Sequence, residues 1–138
     1  MNLEKITEGV KQIALDAGKV IMEVYADEAS FGITQKADES PLTIADQRSN
    51  KVICDGLKKL TPDIPIISEE NKEIPYSERK NFDYAWLVDP VDGTKEFIKR
   101  NGEFTVNIAL IKEGKIIMGV VYVPVVKELF WGIQGQGA

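Results

Sequence analysis

The chain of 138 residues contains no histidine. That absence excludes the Ser-His and Cys-His pairs of nucleophilic catalysis, in which an imidazole takes the proton. A single cysteine, Cys54, excludes a disulfide within the chain. Without imidazole or a second thiolate, a zinc site of the usual kind is disfavoured. Any metal held by this chain rests on oxygen ligands, which is the chemistry of Mg²⁺, Mn²⁺ or Ca²⁺. Basic residues are outnumbered, 17 Lys and Arg against 22 Asp and Glu, for a net charge of -5. An acidic chain is a poor nonspecific partner for a nucleic acid polymer. It can still take an anionic small molecule if a cation sits between them. No apolar run approaches the length of a membrane span. The start, Met1-Asn2-Leu3-Glu4-Lys5, lacks the basic-then-apolar layout of a signal peptide. The expectation is a soluble, cytoplasmic protein, with peripheral association at the inner membrane left open.

What is present suits one domain with a real core: 43% hydrophobic and 28% charged residues. Ile6, Val10, Ile13, Ala14, Ala17, Ile21 and Val24 recur at three- and four-residue steps, which predicts a helix over 3–25. Gly18 inside it suggests a close approach of helix to sheet. A second helix is expected from about Thr43, as N-cap, to Leu60, with Asp46 in its first turn and Thr61-Pro62 ending it. Cys54 reads as a small core residue of that helix. Strands are expected at 65–68, 84–88, 104–111, 115–123 and 127–133, with a hairpin at Glu113-Gly114. A short helical turn is expected over 95–100, and 26–42 and 71–82 read as irregular. Trp86 and Trp131 read as core or interdomain packing. The class is α+β, two helices packed on a largely antiparallel sheet. Two helices cover one face only, so the other face calls for a further domain or a second subunit.

The chemistry concentrates where the apolar run Trp86-Leu87-Val88 meets Asp89-Pro90-Val91-Asp92-Gly93-Thr94. Two neighbouring carboxylates at the end of a buried strand are costly unless a cation neutralises them. A turn there can aim both carboxylates and the Val91 carbonyl at one point. Gly93 permits close backbone approach, and Thr94 can cap a short helix whose N–H groups favour phosphate. An isolated Asp-Pro-x-Asp-Gly is more often a surface turn. The second acidic pair after a short apolar strand, Glu69-Glu70, weighs toward a metal site. From pattern alone Asp46 is a capping-region acid, Lys36 a solvated lysine as readily as a phosphate guide, and Lys99-Arg100 an exposed basic pair.

Asp89-Pro90-Val91-Asp92-Gly93-Thr94-Lys95-Glu96-Phe97 resembles the D-P-(I/L/V)-D-G-T-x-x-F signature of the inositol monophosphatase superfamily. Ser68-Glu69-Glu70 is similar to its upstream glutamate motif, and Lys36 to Asp46 to its first block. The run Gly93 to Leu110 resembles the CysQ-type 3'(2'),5'-bisphosphate nucleotidases more than inositol monophosphatases proper. The resemblance implies the N-terminal domain of the family's αβαβα fold over 1–138. It further implies Mg²⁺ held by Glu69, Asp89 and Asp92 and the Val91 carbonyl, with Asp89 shared between two ions. Gly93 and Thr94 would hold the scissile phosphate, and Glu69, Val91 and Asp92 would also border the substrate. The Thr94 hydroxyl, bonded to Asp46, would orient and deprotonate the attacking water; Asp46 and Thr94 are thus the implied catalytic pair. The implied reaction takes 3'-phosphoadenosine 5'-phosphate and water to AMP and phosphate, with sensitivity to lithium.

Members of that superfamily carry a second domain that supplies another metal-ligating aspartate and most contacts to the rest of the substrate. Nothing in 1–138 matches it, and the expectation is a fragment or truncated product, weakly active or inactive by itself. Rival readings are an inositol monophosphatase or fructose bisphosphatase, and a non-catalytic metal- or phosphate-binding module. The small-molecule partner expected is a nucleotide bisphosphate, and a homo-oligomer could form through the uncovered sheet face.

Overall fold

A computed structural model of the chain describes residues 2–26, 41–68, 83–92 and 104–134, with the side chains of 25 and 41–43 excepted. Helix α1 spans Leu3–Ala26 and α2 spans Pro41–Leu60. Among the described residues five strands follow: β1 Ile66–Ser68, β2 Tyr84–Asp92, β3 Thr105–Lys112, β4 Lys115–Val123 and β5 Glu128–Ile133. They form one sheet in sequential order, with β1 parallel to β2 and every other pair antiparallel. The expected class, two helices on a largely antiparallel sheet, is what the chain adopts.

Asn2 caps α1, its Oδ1 accepting from the Lys5 amide at 3.1 Å. The predicted apolar stripe is the buried one: Val10, Ala14, Ala17, Ile21 and Val24 are fully enclosed. α1 lies over β3, β4 and β5, and α2 over β1 and β2. Gly18 meets the sheet as its position suggested. A Cβ built there would stand 2.3 Å from the Tyr122 ring, so only glycine allows this approach. The Glu113-Gly114 hairpin forms with φ of 51° and 82°, the doubly positive pair of a type I′ turn.

The structure moves two boundaries. α2 begins at Pro41, so Thr43 lies inside the helix and is not its cap, and no acidic residue stands in the first turn. Proline suits a helix start, because its φ is already helical and its missing N–H is not needed there. Asp46 therefore sits farther along the helix than the sequence suggested. β2 runs on through Pro90 to Asp92, where a turn after Val88 was expected.

Alternation separates the two faces of the sheet. Trp86, Val88, Val106, Ile108, Leu110, Met118, Val120 and Tyr122 are buried under the helices. Ile67, Leu87, Ala109, Ile116, Val121 and Phe130 occupy the opposite face, where Ile116 is 63% and Phe130 55% exposed. Trp86 is core, its Nε1 donating to Thr61 Oγ1 at 2.9 Å. Trp131 is not: it is 40% exposed, with the Lys11 ammonium 3.6 Å from its ring centroid. Cys54 is buried on α2 as predicted.

Candidate functional site

Asp89 and Asp92 are three residues apart, and on a regular strand that spacing sends two side chains to opposite faces. β2 is not regular there. Asp89 pairs with Asn107 and Asp92 with Thr105, so three steps on β2 match two on β3. The extra residue is a β-bulge, and Pro90, which has no N–H to give a ladder, belongs in such a position. Pro90 and Val91 are both buried, whereas Leu87, Asp89 and Asp92 are partly or well exposed. The bulge thus brings both carboxylates to the face of the sheet away from the helices. The acidic pair expected from a turn is produced by an irregular strand.

Neighbouring polar groups hold this arrangement. Asn107 Nδ2 donates to Asp92 Oδ2 at 2.8 Å, and Asn107 Oδ1 accepts from Thr105 Oγ1 at 3.0 Å. From the helix side, Ser49 Oγ donates to the Pro90 carbonyl at 2.9 Å, a buried bond across 41 residues of sequence. Ser68, the last residue of β1, donates to Asn50 Oδ1 at 2.6 Å. It lies in register with Val88, immediately before Asp89. Asp46 is half-buried on α2, one turn before Ser49 and Asn50 and on the same side of the helix.

Sequence reasoning placed Ser68 and Asn107 inside matched motifs without a role of their own, and assigned no part to Ser49 or Asn50. Thr105 and Asn107 alternate outward on a strand that was predicted, a usable signal. Ser49 and Asn50 follow Asp46 at three and four residues, which on a helix is one face. Neither spacing announces a partner, because the partners lie on other strands.

Asp89, Asp92 and the buried Val91 lie in the last four residues of β2, where a turn after Val88 was expected. Asp46 is on the helix that covers that strand. Glu69, Gly93 and Thr94 lie outside the described residues, as do Lys36, Lys99 and Arg100 and the helical turn expected at 95–100. Among the described residues no three of His, Cys, Asp and Glu gather into a metal-binding group. The donor set that is described, two carboxylates on one face with a backbone carbonyl between them in sequence, is all oxygen. It fits Mg²⁺ or Mn²⁺ in kind and leaves room for further oxygen ligands. Ile67, Leu87, Ala109 and Val121 continue from Asp89 and Asn107 into a shallow apolar groove of about 480 Å³.

The chain is similar to proteins of known name and structure. The chain is 51% identical over 129 residues to the 3'(2'),5'-bisphosphate nucleotidase CysQ of Salmonella typhimurium, covering 94% of this chain and 52% of that one. It is 52% identical over 127 residues to CysQ of Escherichia coli K12, covering 92% and 51%. The chain thus spans about half the length of the curated relatives it matches. The crystal structure of CysQ from Bacteroides thetaiotaomicron superposes with a TM-score of 0.85 at 46% identity, over 99% of this chain and 49% of that one. Inositol monophosphatase from Anabaena gives 0.80 at 28% identity, over 99% and 47%. With the inositol monophosphatase family model matching residues 2–138, the chain belongs to the inositol monophosphatase family.

Proposed function

We propose that this chain is the metal-binding half of a Mg²⁺-dependent 3'(2'),5'-bisphosphate nucleotidase. The observation that carries the reading is the bulge that turns Asp89 and Asp92 to one face, with Asn107 holding an oxygen of Asp92. Likeness to proteins named as bisphosphate nucleotidases, and family membership, support phosphatase chemistry. Mg²⁺, when bound, polarises the phosphate and acidifies a water.

The residues then divide the work. Asp89 and Asp92 bind by carboxylate, Val91 by its carbonyl, and Glu69 completes the acidic set. Asn107 leaves Asp92 one oxygen free of its own bond and fixes the plane of the carboxylate. Gly93 and Thr94 offer N–H groups to the phosphate. The Thr94 hydroxyl takes the proton of the attacking water and passes its own to Asp46. The products from 3'-phosphoadenosine 5'-phosphate are AMP and phosphate. The compartment we assign is the cytoplasm.

Phosphate release from 3'-phosphoadenosine 5'-phosphate, inositol 1-phosphate and fructose 1,6-bisphosphate tests the reading. A protein joining this chain to the second half found in its relatives is expected to prefer the first substrate and to need Mg²⁺. Preference for a sugar or inositol phosphate would replace the nucleotidase reading. Residues 1–138 alone are expected to release little or no phosphate. Efficient turnover by 1–138 would contradict that expectation.

The apolar outer face, Leu87, Ile116, Val121 and Phe130, also supports self-association of the isolated chain. Sedimentation velocity is expected to show a concentration-dependent shift to larger species. A single monomer boundary at high concentration would refute it.

A further inference from the structure

We infer that the adjacent pair Ser49-Asn50 is a clamp that fixes the ends of β2 and β1 relative to each other and so holds the Asp89–Asp92 bulge in the position from which it takes a divalent cation. The inference deepens the metal-binding reading and rests on it. Ser49 is fully buried and its hydroxyl donates to the carbonyl of Pro90, between Asp89 and Asp92. Pro90 and Val91 have no partner residue in the β2–β3 register. A bulge loosens a ladder where it occurs, so the bond from Ser49 holds the very segment the sheet holds least. Asn50 accepts from Ser68, the residue that leads into Glu69, and also from Cys54 Sγ at 3.5 Å.

Consecutive helix residues project about 100° apart. Side chains at 49 and 50 therefore diverge to straddle two strands, which in a sheet lie about 4.8 Å apart. β1 and β2 are parallel, so both end toward the same side, and one helix reaches both ends. A bond to one strand alone would steady that strand. Bonds to both from neighbouring helix positions steady the distance between them. These side chains are positioning residues: they act on the site through a backbone carbonyl and a serine hydroxyl.

The test measures Mn²⁺ binding by calorimetry, and by the electron paramagnetic resonance signal of unbound Mn²⁺, well below the melting temperature. Ser49→Ala and Asn50→Leu are each expected to weaken binding about tenfold, the lower end for groups that orient metal ligands. The double variant is expected to lose little more than either single, because either break frees the spacing. Ser68→Ala should match Asn50→Leu, while Ser68→Thr, which keeps the hydroxyl, should bind as wild type. Amide hydrogen exchange supplies a readout without metal. Exchange at 66–68 and 86–92 should accelerate in the three disrupting variants, with β4 and β5 unchanged. Uniformly faster exchange in Ser49→Ala would mean general loosening, and the Ser68 pair then decides. Wild-type affinity in Ser68→Ala and Asn50→Leu, with local exchange unaltered, overturns the clamp. If the wild-type chain takes up no Mn²⁺, the metal reading falls and the exchange results alone judge the clamp.

Discussion

Asp89→Asn is expected to weaken Mn²⁺ or Mg²⁺ binding about a hundredfold or more, the largest effect of any single change at the site. The substitution keeps the shape of the side chain and one carbonyl oxygen, and removes one unit of charge. Two unit charges 4 Å apart interact by about 4 kcal/mol at an effective dielectric of 20, and a divalent ion doubles that to about 8. Much of it is offset, because the carboxylate and the ion both surrender hydration. If about a third survives, near 3 kcal/mol, the loss is about a hundredfold in Kd.

Two further signs separate this from a loss of fold. Without metal, Asp89→Asn should keep the circular dichroism spectrum and the cooperative unfolding of the wild type, since it preserves the shape of a partly exposed side chain. With metal in excess, the wild type should gain melting temperature by linkage, and the variant should gain far less. Calorimetry paired with thermal melts followed by circular dichroism, each with and without Mn²⁺, checks all three. Equal affinity in variant and wild type would remove Asp89 from the site. Asp92→Asn should fall in the same direction by a smaller factor, because the Asn107 amide already shares one Asp92 oxygen.

Much of this was legible from sequence, for identifiable reasons. Apolar residues at helical and alternating periods specify which faces are buried, so the stripe Val10 to Val24 and the inward set on β3 could be read directly. The doubly positive turn at Glu113-Gly114 and the tight contact at Gly18 were likewise carried by residue type alone. The bulge was not. Proline after a run of β-formers reads locally as a stop, and only pairing with Asn107 and Thr105 shows that the strand continues past it. Pro41 and Thr43 compete as helix starters, and local propensity put the start two residues late. Ser49, Asn50 and Ser68 act through partners 18 and 41 residues away, a distance across which a single sequence carries no pairing signal. The motif residues Asp89 and Asp92 could be picked out by type; the means that aims them could not.

The same strand carries the second large effect, on stability. Trp86→Ala is expected to destabilise the chain by about 3–5 kcal/mol, the usual range for deleting a large buried aromatic. Trp86 has no exposed surface, faces α2, and stands three residues before Asp89. Its indole N–H donates to Thr61 Oγ1, which in turn donates to the Leu57 carbonyl at 3.1 Å, so the ring ties β2 to the end of the helix. Alanine leaves a cavity and deprives a buried hydroxyl of its donor. Trp86→Phe fills most of the space and loses only the N–H bond, for an expected cost of about 1–2 kcal/mol. Trp131→Ala provides the contrast: its ring is 40% exposed and meets a lysine at the surface, so its removal should cost less than half as much as that of Trp86. Denaturant unfolding followed by far-ultraviolet circular dichroism ranks the three, with the midpoint moving and the slope held. Domains of this size are stable by about 5–15 kcal/mol in total, so the Trp86→Ala loss is a large share of what keeps β2 in place. At a denaturant concentration that leaves Trp131→Ala folded, Trp86→Ala should already be unfolded and should have lost its metal affinity with its structure. Asp89→Asn should keep the fold and lose the metal. A Trp86→Ala variant as stable as Trp131→Ala would mean that the ring does not bear on β2 as its burial indicates.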